Sequence, residues 1–159
     1  MEPRLNLKEV APEALRALHA LDQYVTSSGF EPSLLDLVRL RASQINKCAY
    51  CIDAHTKDAR ARGETEQRIY ALDAWRDTPF YTERERAALA WTEAVTLINE
   101  SHVPDELYQS VRQQFSAKEL VDLTVEVIYI NGWTRLGISF RPVPGTYQPH
   151  KTVPVLEHA

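Results

Sequence analysis

The chain contains 159 residues, with a formal net charge of −4 and an isoelectric point of about 5.7. That length predicts a single domain over residues 1–159, and the acidic balance without a basic run disfavours nucleic acid as a partner. The first residues lack an apolar leader and no stretch is long enough to span a bilayer. The sequence therefore predicts a cytoplasmic protein with no membrane partner.

Prolines and glycines bound the first predicted helices. Pro12 is well placed to open the first helix, which Gly29 ends, and Pro32 opens the second. The third helix stops near Gly63, and a fourth, shorter helix is predicted over residues 64–75. The far side of the third helix is predicted to be a solvated face made of Lys57, Asp58, Arg60 and Arg62.

A capping box and a proline begin the next two predicted helices. Thr82 and Glu85 start the fifth, which is expected to reach about Asn99, and Pro104 opens the sixth. No stretch of useful length alternates apolar and polar residues as a strand does. The sequence therefore predicts an all-α fold of about seven helices, with a core in about residues 15–140.

The seventh predicted helix is apolar around most of its circumference. Ser116 and Glu119 form its capping box, and it is expected to end at about Phe140. A helix of this kind is buried on all sides, either by a neighbouring subunit or as the central helix of a monomer. Its large apolar residues are Leu120, Val121, Leu123, Val125, Val127, Ile128, Ile130, Trp133, Leu136 and Ile138.

The tail over residues 141–159 is predicted to be extended or disordered. Pro142, Pro144, Gly145 and Pro149 preclude a regular helix there. Its apolar side chains could dock it on a neighbouring subunit; they are Val143, Tyr147 and Val153.

Both cysteines of the chain lie in one motif, Cys48-Ala49-Tyr50-Cys51, and His55 follows it. At about 100° per helical residue, the three side chains fall within an arc of roughly 60°. The preceding Asn46 and Lys47 suggest a break, so Cys48 is predicted near a helix N-terminus, where free N–H groups lower the pKa of a thiol. The motif can close into a disulfide and open again, which predicts two-electron redox chemistry.

Three other interpretations of the motif are open. A structural disulfide would close a loop of only four residues, which constrains the unfolded chain little. A structural zinc site needs four ligands, whereas Cys48, Cys51 and His55 supply three. Two inert core cysteines are also common. The sequence favours redox chemistry, with no metal and no cofactor.

The run from Asp36 to Arg60, with its Ser-Gln-Ile-Asn-x-Cys-x-x-Cys-x-x-x-His core, resembles the alkylhydroperoxidase AhpD-like family of the carboxymuconolactone decarboxylase superfamily. The segments over residues 129–135 and 143–149 resemble it too. The resemblance implies an all-helical fold assembled as homotrimers or homohexamers. It also implies a thiol peroxidase that uses Cys48, Cys51 and His55, and the cysteine pair favours this branch over the decarboxylases.

The chain departs from the family pattern at three positions. Lys47 stands where the family often has glycine, and Tyr50 where AhpD has a second histidine. Asp36 matches a glutamate of the family's proton relay. On one straight helix Asp36 and Cys48 would lie about 18 Å apart, so a relay requires a bend near Asn46. Asp36 could instead be a first-turn acid that stabilises its own helix.

These observations predict a peroxidase that reduces alkyl hydroperoxides and serves antioxidant defence. The i, i+4 spacing favours Cys51 as the attacking thiol beside His55, with Cys48 resolving, although the helix terminus favours Cys48. The expected partners are a peroxide and a dithiol reductant of protein or lipoyl type. The alternatives are a thiol–disulfide oxidoreductase, a redox sensor, or a decarboxylase-like lyase on the same fold.

Overall fold

The structure is a computed structural model that describes residues 2–149, and the prediction of an all-α fold is confirmed there. Within this range nine α-helices and one 3₁₀ helix follow one another without a strand. The helices are α1 Leu7–Val10, α2 Pro12–Thr26, α3 Pro32–Ile45, α4 Ala49–Ala61, α5 Glu66–Ala71, the 3₁₀ helix Leu72–Asp77, α6 Glu83–Thr96, α7 Ile98–Ser101, α8 Asp105–Arg112 and α9 Ala117–Phe140.

Four helices begin at the prolines and capping boxes from which their starts were predicted. Pro12 and Pro32 are the first residues of α2 and α3, where their missing N–H groups cost nothing. Thr82 and Ser116 each accept a hydrogen bond from the backbone of the glutamate three residues later, and that glutamate accepts one in return. Both predicted capping boxes are therefore confirmed.

Some predicted boundaries are wrong. The predicted fourth helix is divided into α5, which Thr65 caps, and a 3₁₀ helix that follows it directly, inside which Ala74 leaves the helical conformation. The fifth ends at Thr96 instead of about Asn99, since Leu97 breaks the helix before the short α7 begins. The short α1 has no counterpart among the predicted helices.

The central helix of the fold is α3, which packs against α4, α6 and α9. Leu34, Leu35 and Val38 point into one apolar cluster together with residues of α2, α6, α8 and α9. Leu37 and Leu40 point into a second cluster together with residues of α4, α5, the 3₁₀ helix and α6. Helix α3 therefore lies between two apolar clusters, and the cysteine motif follows directly after it in the chain.

The prediction that the last helix is buried on all sides is wrong for a single chain. One side of α9 is buried through Leu120, Leu123, Val127 and Ile130. The other side leaves three large apolar side chains exposed, because no element within residues 2–149 packs over them: Val121 at 59%, Ile128 at 53% and Ile138 at 47%. Whether a second copy covers this face stays a prediction.

The described part of the tail has no helix, as predicted. Tyr147, however, packs on its own chain and not on a neighbouring subunit. It contacts α4 of its own chain through Lys57 and Asp58. Val153 and the rest of residues 150–159 lie outside the described residues. Among the helices of residues 2–149, none combines the length and the apolar character needed to cross a membrane.

Candidate active site

The cysteine pair follows a sharp bend between α3 and α4. Asn46 ends α3, and Lys47 adopts a left-handed φ of 56°. The Asn46 side-chain amide donates to Ala42 O at 2.9 Å and to Asn131 Oδ1 at 3.0 Å, which ties the bend to α9. The predicted break is confirmed, and it turns α4 back along α3. The family's frequent glycine at this position suits the left-handed conformation, which Lys47 adopts at some cost.

Cys48 is the N-cap residue of α4, so its predicted place at a helix N-terminus is confirmed. Its Sγ accepts a hydrogen bond from the backbone N–H of Cys51 at 3.4 Å. The two cysteines are joined by a disulfide with a Cα–Cα distance of 5.3 Å. Both are buried in the single chain, with 1% of Cys48 and 4% of Cys51 exposed. A thiolate at Cys48 would receive the free N–H groups of the first helical turn.

Gly137 of α9 lies directly against the disulfide. A Cβ atom at this position would stand 2.9 Å from Cys48 Sγ and 3.3 Å from Cys51 Sγ. The missing side chain therefore lets α9 cross the two sulfur atoms at close range. Sequence reasoning missed Gly137, because a glycine inside a helical pattern gives no sign of which residue it faces.

His55 lies one turn beyond Cys51 on α4, and its side chain is 14% exposed. Its Nδ1 is buried and has no hydrogen-bond partner among the described residues, and the carboxylate oxygen within ion-pair distance of it there is Asp58 Oδ2, at 3.9 Å. Burial, together with the positive charges of Arg39 and Arg62, lowers the pKa of His55 to about 3. The imidazole is therefore neutral at pH 7 and has a lone pair available for a proton.

Asp36 is buried, with 2% exposed, and its Oδ1 accepts a hydrogen bond from Arg62 at the end of α4. Burial raises the pKa of this carboxyl, and Arg62 opposes the shift. The other oxygen, Oδ2, has no hydrogen-bond partner within residues 2–149. Because α3 begins at Pro32, Asp36 lies in its second turn, so the interpretation as a first-turn acid is wrong.

The required bend exists, but it brings Asp36 to the far end of α4 from Cys48. The hydrogen bond of Asp36 runs to Arg62 and not to a cysteine. Asp36 also lines a cavity of about 280 Å³ whose other charged residues include Arg62, Arg68 and Glu85. His55 lies between the cysteines and this charged end of the helix.

A buried ion pair between α3 and α9 was not predicted from the sequence. Arg39 of α3 donates to both carboxylate oxygens of Glu126 on α9, at 2.6 and 3.1 Å, and to Asp22 Oδ1 on α2 at 2.6 Å. Glu126 is fully buried, and burial raises the pKa of its carboxyl while Arg39 opposes the shift. The guanidinium therefore carries a fixed positive charge close to the site.

The predicted solvated face of α4 is only partly solvated. Arg62 reaches back to the buried Asp36, and the Asp58 side chain is 15% exposed beside His55. Lys57 donates to Asp53 on its own helix and to Tyr147 O of the tail. Arg60, at 49% exposed, fits the prediction. Charged residues at helical spacing look alike in the sequence whether they face water or a partner from another segment.

The arrangement combines two adjacent sulfur atoms, a neutral imidazole and nearby cations. Such a group can carry two electrons and two protons between a dithiol and a disulfide. The free N–H groups at the N-terminus of α4 would favour a thiolate at Cys48. Over the described residues, no three His, Cys, Asp or Glu side chains are grouped so that they could hold a metal ion.

The sequence model of the carboxymuconolactone decarboxylase family matches residues 12–94, from α2 through most of α6 and across the whole cysteine motif. The chain belongs to this family. The protein YdfG of Bacillus subtilis, itself uncharacterised, is 43% identical over 139 residues, which make up 87% of this chain and 95% of YdfG. The predicted membership of the superfamily is confirmed.

Solved structures agree with this assignment and make the chain AhpD-like. The crystal structure of ATU0492 from Agrobacterium tumefaciens, a protein of unknown function provisionally linked to AhpD and antioxidant defence, superimposes with a TM-score of 0.85 at 45% identity and covers 89% of this chain and 99% of its own. A peroxidase-related protein of Ralstonia eutropha superimposes with a TM-score of 0.76 at 19% identity, covering 91% of this chain and 77% of its own, which shows a shared fold.

Proposed function

We propose that the protein is a thiol-dependent peroxidase that reduces alkyl hydroperoxides through Cys48 and Cys51. The observation that carries the proposal is a disulfide closed between these two residues at the N-cap of α4, in an AhpD-like fold. The link of ATU0492 to antioxidant defence supports the same activity. The superfamily includes enzymes, and the peroxidase assignment is our own for this chain.

The proposed cycle has three balanced steps. A cysteine thiolate attacks the distal oxygen of the hydroperoxide, forms a sulfenic acid, and releases an alkoxide that takes up a proton as the alcohol. The second thiol condenses with the sulfenic acid to give the Cys48–Cys51 disulfide and water. A dithiol donor of protein or lipoyl type then reduces the disulfide by exchange and becomes a disulfide itself. The cytoplasm would supply such a donor.

We assign the attack to Cys51 and the resolving role to Cys48. Cys51 lies one helical turn before His55, which is neutral and can take its proton. Cys48 Sγ already receives the Cys51 N–H, so Cys48 is suited to be the thiolate that leaves when the donor attacks.

The burial of both sulfur atoms favours a small substrate. With 1% and 4% of the two cysteines exposed, a peroxide needs only a narrow path, whereas a protein disulfide would need the site to open widely. This supports a small peroxide as the oxidant, and of the two donor types it favours a narrow lipoyl-type dithiol over a protein dithiol, which would need the same opening.

Steady-state turnover tests the proposal. Purified protein is given a hydroperoxide and a reduced lipoyl-type dithiol, with the Cys48→Ser and Cys51→Ser variants as controls. A peroxidase consumes one dithiol per peroxide, and both variants lose turnover. A redox sensor would oxidise once and stop. A lyase would consume no peroxide and leave its thiols reduced. That result would refute the proposal.

Asp36 is proposed to support the proton relay electrostatically: its hydrogen bond runs to Arg62 and not to a cysteine, and its carboxylate offsets the positive charge that opposes a proton on His55. Asp36→Asn should then slow thiol oxidation several-fold and leave the fold intact. Circular dichroism serves as the control for folding. An unchanged rate across pH would remove Asp36 from the relay and leave it as the partner of Arg62.

We also propose that the protein assembles as a homotrimer or homohexamer through the exposed side of α9. Val121, Ile128 and Ile138 are large, apolar and uncovered in the single chain. Light scattering at micromolar concentration measures the mass directly. Ile128→Glu should shift it toward the monomer, whereas a monomer in the wild-type protein would refute the proposal.

A further inference from the structure

The segment over residues 143–149, here called the strap, is fastened to α4 by three hydrogen bonds. The Gly145 N–H donates to Asp53 Oδ2 at 2.8 Å, and Lys57 Nζ donates to Tyr147 O at 3.1 Å. The Tyr147 hydroxyl donates to Asp58 Oδ1 at 2.8 Å. The first two bonds fasten the strap alongside the helix, while the third reaches a carboxylate beside His55.

Asp58 stands between the strap and the imidazole. One of its oxygens accepts the Tyr147 hydroxyl, and the other, Oδ2, faces His55 Nδ1 at 3.9 Å. That distance is too long for a hydrogen bond, yet Nδ1 is buried and finds no partner in the part of the chain that the structure describes. In the disulfide form, therefore, no hydrogen bond joins the ring nitrogen of His55 to the carboxylate that Tyr147 holds beside it.

A base at position 55 needs this contact. The positive charges of Arg39 and Arg62 oppose a proton on the imidazole, and Asp36 and Glu126 are already bonded to those two guanidiniums. Asp58 is the carboxylate within ion-pair distance of His55 in the described part of the chain. A carboxylate that accepts from Nδ1–H leaves Nε2 as the basic nitrogen and stabilises the imidazolium once it forms.

We propose that Asp58 and Tyr147 are positioning residues for His55, Asp58 closing onto Nδ1–H in the reduced protein and Tyr147 holding the carboxylate in the required orientation. This rests on the proposed function, since it gives His55 the task of taking the thiol proton. It also assigns a role to the strap, which would bring one hydroxyl into the site from a distant part of the chain.

The test uses the reduced full-length protein with Tyr147→Phe and Asp58→Asn, and with Asp53→Asn as the matched control. Asp53→Asn weakens the strap at Gly145 but leaves the Tyr147–Asp58 bond in place. Two quantities are measured: the rate of thiol oxidation by hydrogen peroxide between pH 5 and 9, and the ¹⁵N chemical shifts of the His55 ring, assigned by comparison with His55→Gln.

The wild-type protein and Asp53→Asn should show His55 protonated at Nδ1 and the same pH profile. Tyr147→Phe should slow oxidation by about fivefold near neutral pH, the effect of one hydrogen bond, and move the profile to higher pH. Asp58→Asn should slow oxidation by a larger factor than Tyr147→Phe. In both variants the His55 ring should no longer be protonated at Nδ1 alone.

Unchanged tautomer and profile in Tyr147→Phe and Asp58→Asn would overturn the proposal. An equal change in Asp53→Asn would also overturn it, because the strap and not the hydroxyl would then be responsible. The ring nitrogen shifts need no peroxide. If the protein failed to react with peroxide, the proposed function would fall, and the shifts alone would still decide whether Asp58 and Tyr147 set the tautomer.

Discussion

The two ends of α4 are built in different ways. At the N-terminal end, Cys48 caps the helix, bonds to Cys51 and packs against Gly137, so that the sulfur atoms depend on one bend and one neighbouring helix. From His55 towards the C-terminal end, the charges that act on the imidazole are Arg39 of α3 and Arg62, and the carboxylate beside it, Asp58, is bonded to Tyr147 of the strap. The disulfide therefore depends mainly on the bend and the N-terminus of α4, with α9 as its one distant neighbour, whereas the proton chemistry depends on several pairs that are distant in the chain.

This contrast predicts that damage at the N-terminal end removes the reaction, while damage at the C-terminal end changes its pH dependence and the stability of the protein. Local geometry supplies the nucleophile, without which no cycle begins. The charged groups set how readily a proton moves. The four predictions that follow test this division, from the largest expected effect to the smallest.

Cys51→Ser should lower peroxide turnover by about a thousandfold or more, since the attacking thiol is lost. Cys48→Ser should also stop turnover but allow the first oxidation, so that a sulfenic acid accumulates on Cys51 and can be trapped and weighed. If the sulfenic acid instead accumulated on Cys48 in Cys51→Ser, the assignment of the two roles would be reversed.

The stability of the wild-type protein should fall on acidification through His55. In the unfolded chain His55 takes up a proton below its usual pKa of about 6.5, while in the folded chain its pKa is about 3. The unfolded state then binds more protons between these values, so folding weakens as the pH drops, by about 3 kcal/mol between pH 7 and pH 4.

Denaturant unfolding of the wild-type protein and His55→Gln at both pH values measures this effect. The acidic residues titrate in both proteins, so the difference between them isolates the histidine. Equal losses of stability in the two would mean that His55 is not held neutral by its surroundings, and the contrast between the ends of α4 would weaken.

Gly137→Ala should destabilise the oxidised protein by about 1–3 kcal/mol, because the new Cβ would overlap the packed sulfur atoms. Gly132→Ala is the matched control on the same helix: its Cβ would meet Leu18 Cδ1 at 3.0 Å, the flexible end of a side chain. Alanine favours the helix by about 1 kcal/mol, so the control should be neutral or stabilising. Equal effects in unfolding experiments would show that α9 does not rely on Gly137 at the sulfurs.

Lys47→Gly should raise stability by no more than about 1 kcal/mol, since glycine relieves the left-handed conformation but adds freedom to the unfolded chain. Unfolding midpoints of the two proteins give the value, with Lys57→Gly inside α4 as a control that should destabilise. A clear loss of stability in Lys47→Gly would mean that the lysine side chain makes a contribution beyond its backbone.

The same contrast explains which features could be predicted from the sequence. The confirmed predictions depend on residues within one helical turn of each other. They are the helix starts at Pro12 and Pro32, the two capping boxes and the place of Cys48. The kink at Ala74 has no such signal; it lies between Leu72 and Trp75, which both pack into the second apolar cluster.

The charged surroundings of His55 depend on pairs that are distant in the chain. Arg39 and Glu126 are 87 positions apart, and Tyr147 and Asp58 are 89 apart. A single sequence gives no information on such pairings, so Asp58 and Arg62 resembled ordinary surface residues. Asp36 was found through the family resemblance, which indicated the position but not its partner Arg62.

Rapid mixing of the fully reduced chain with less than one equivalent of hydrogen peroxide tests the central claim most directly. The account predicts that two thiols disappear for each peroxide consumed, and that the tryptic peptide over residues 48–57 becomes two hydrogens lighter. A dithiol donor should then restore both thiols. Thiols that stay reduced while the peroxide persists, or cysteines that pass directly to sulfonic acid, would contradict the account.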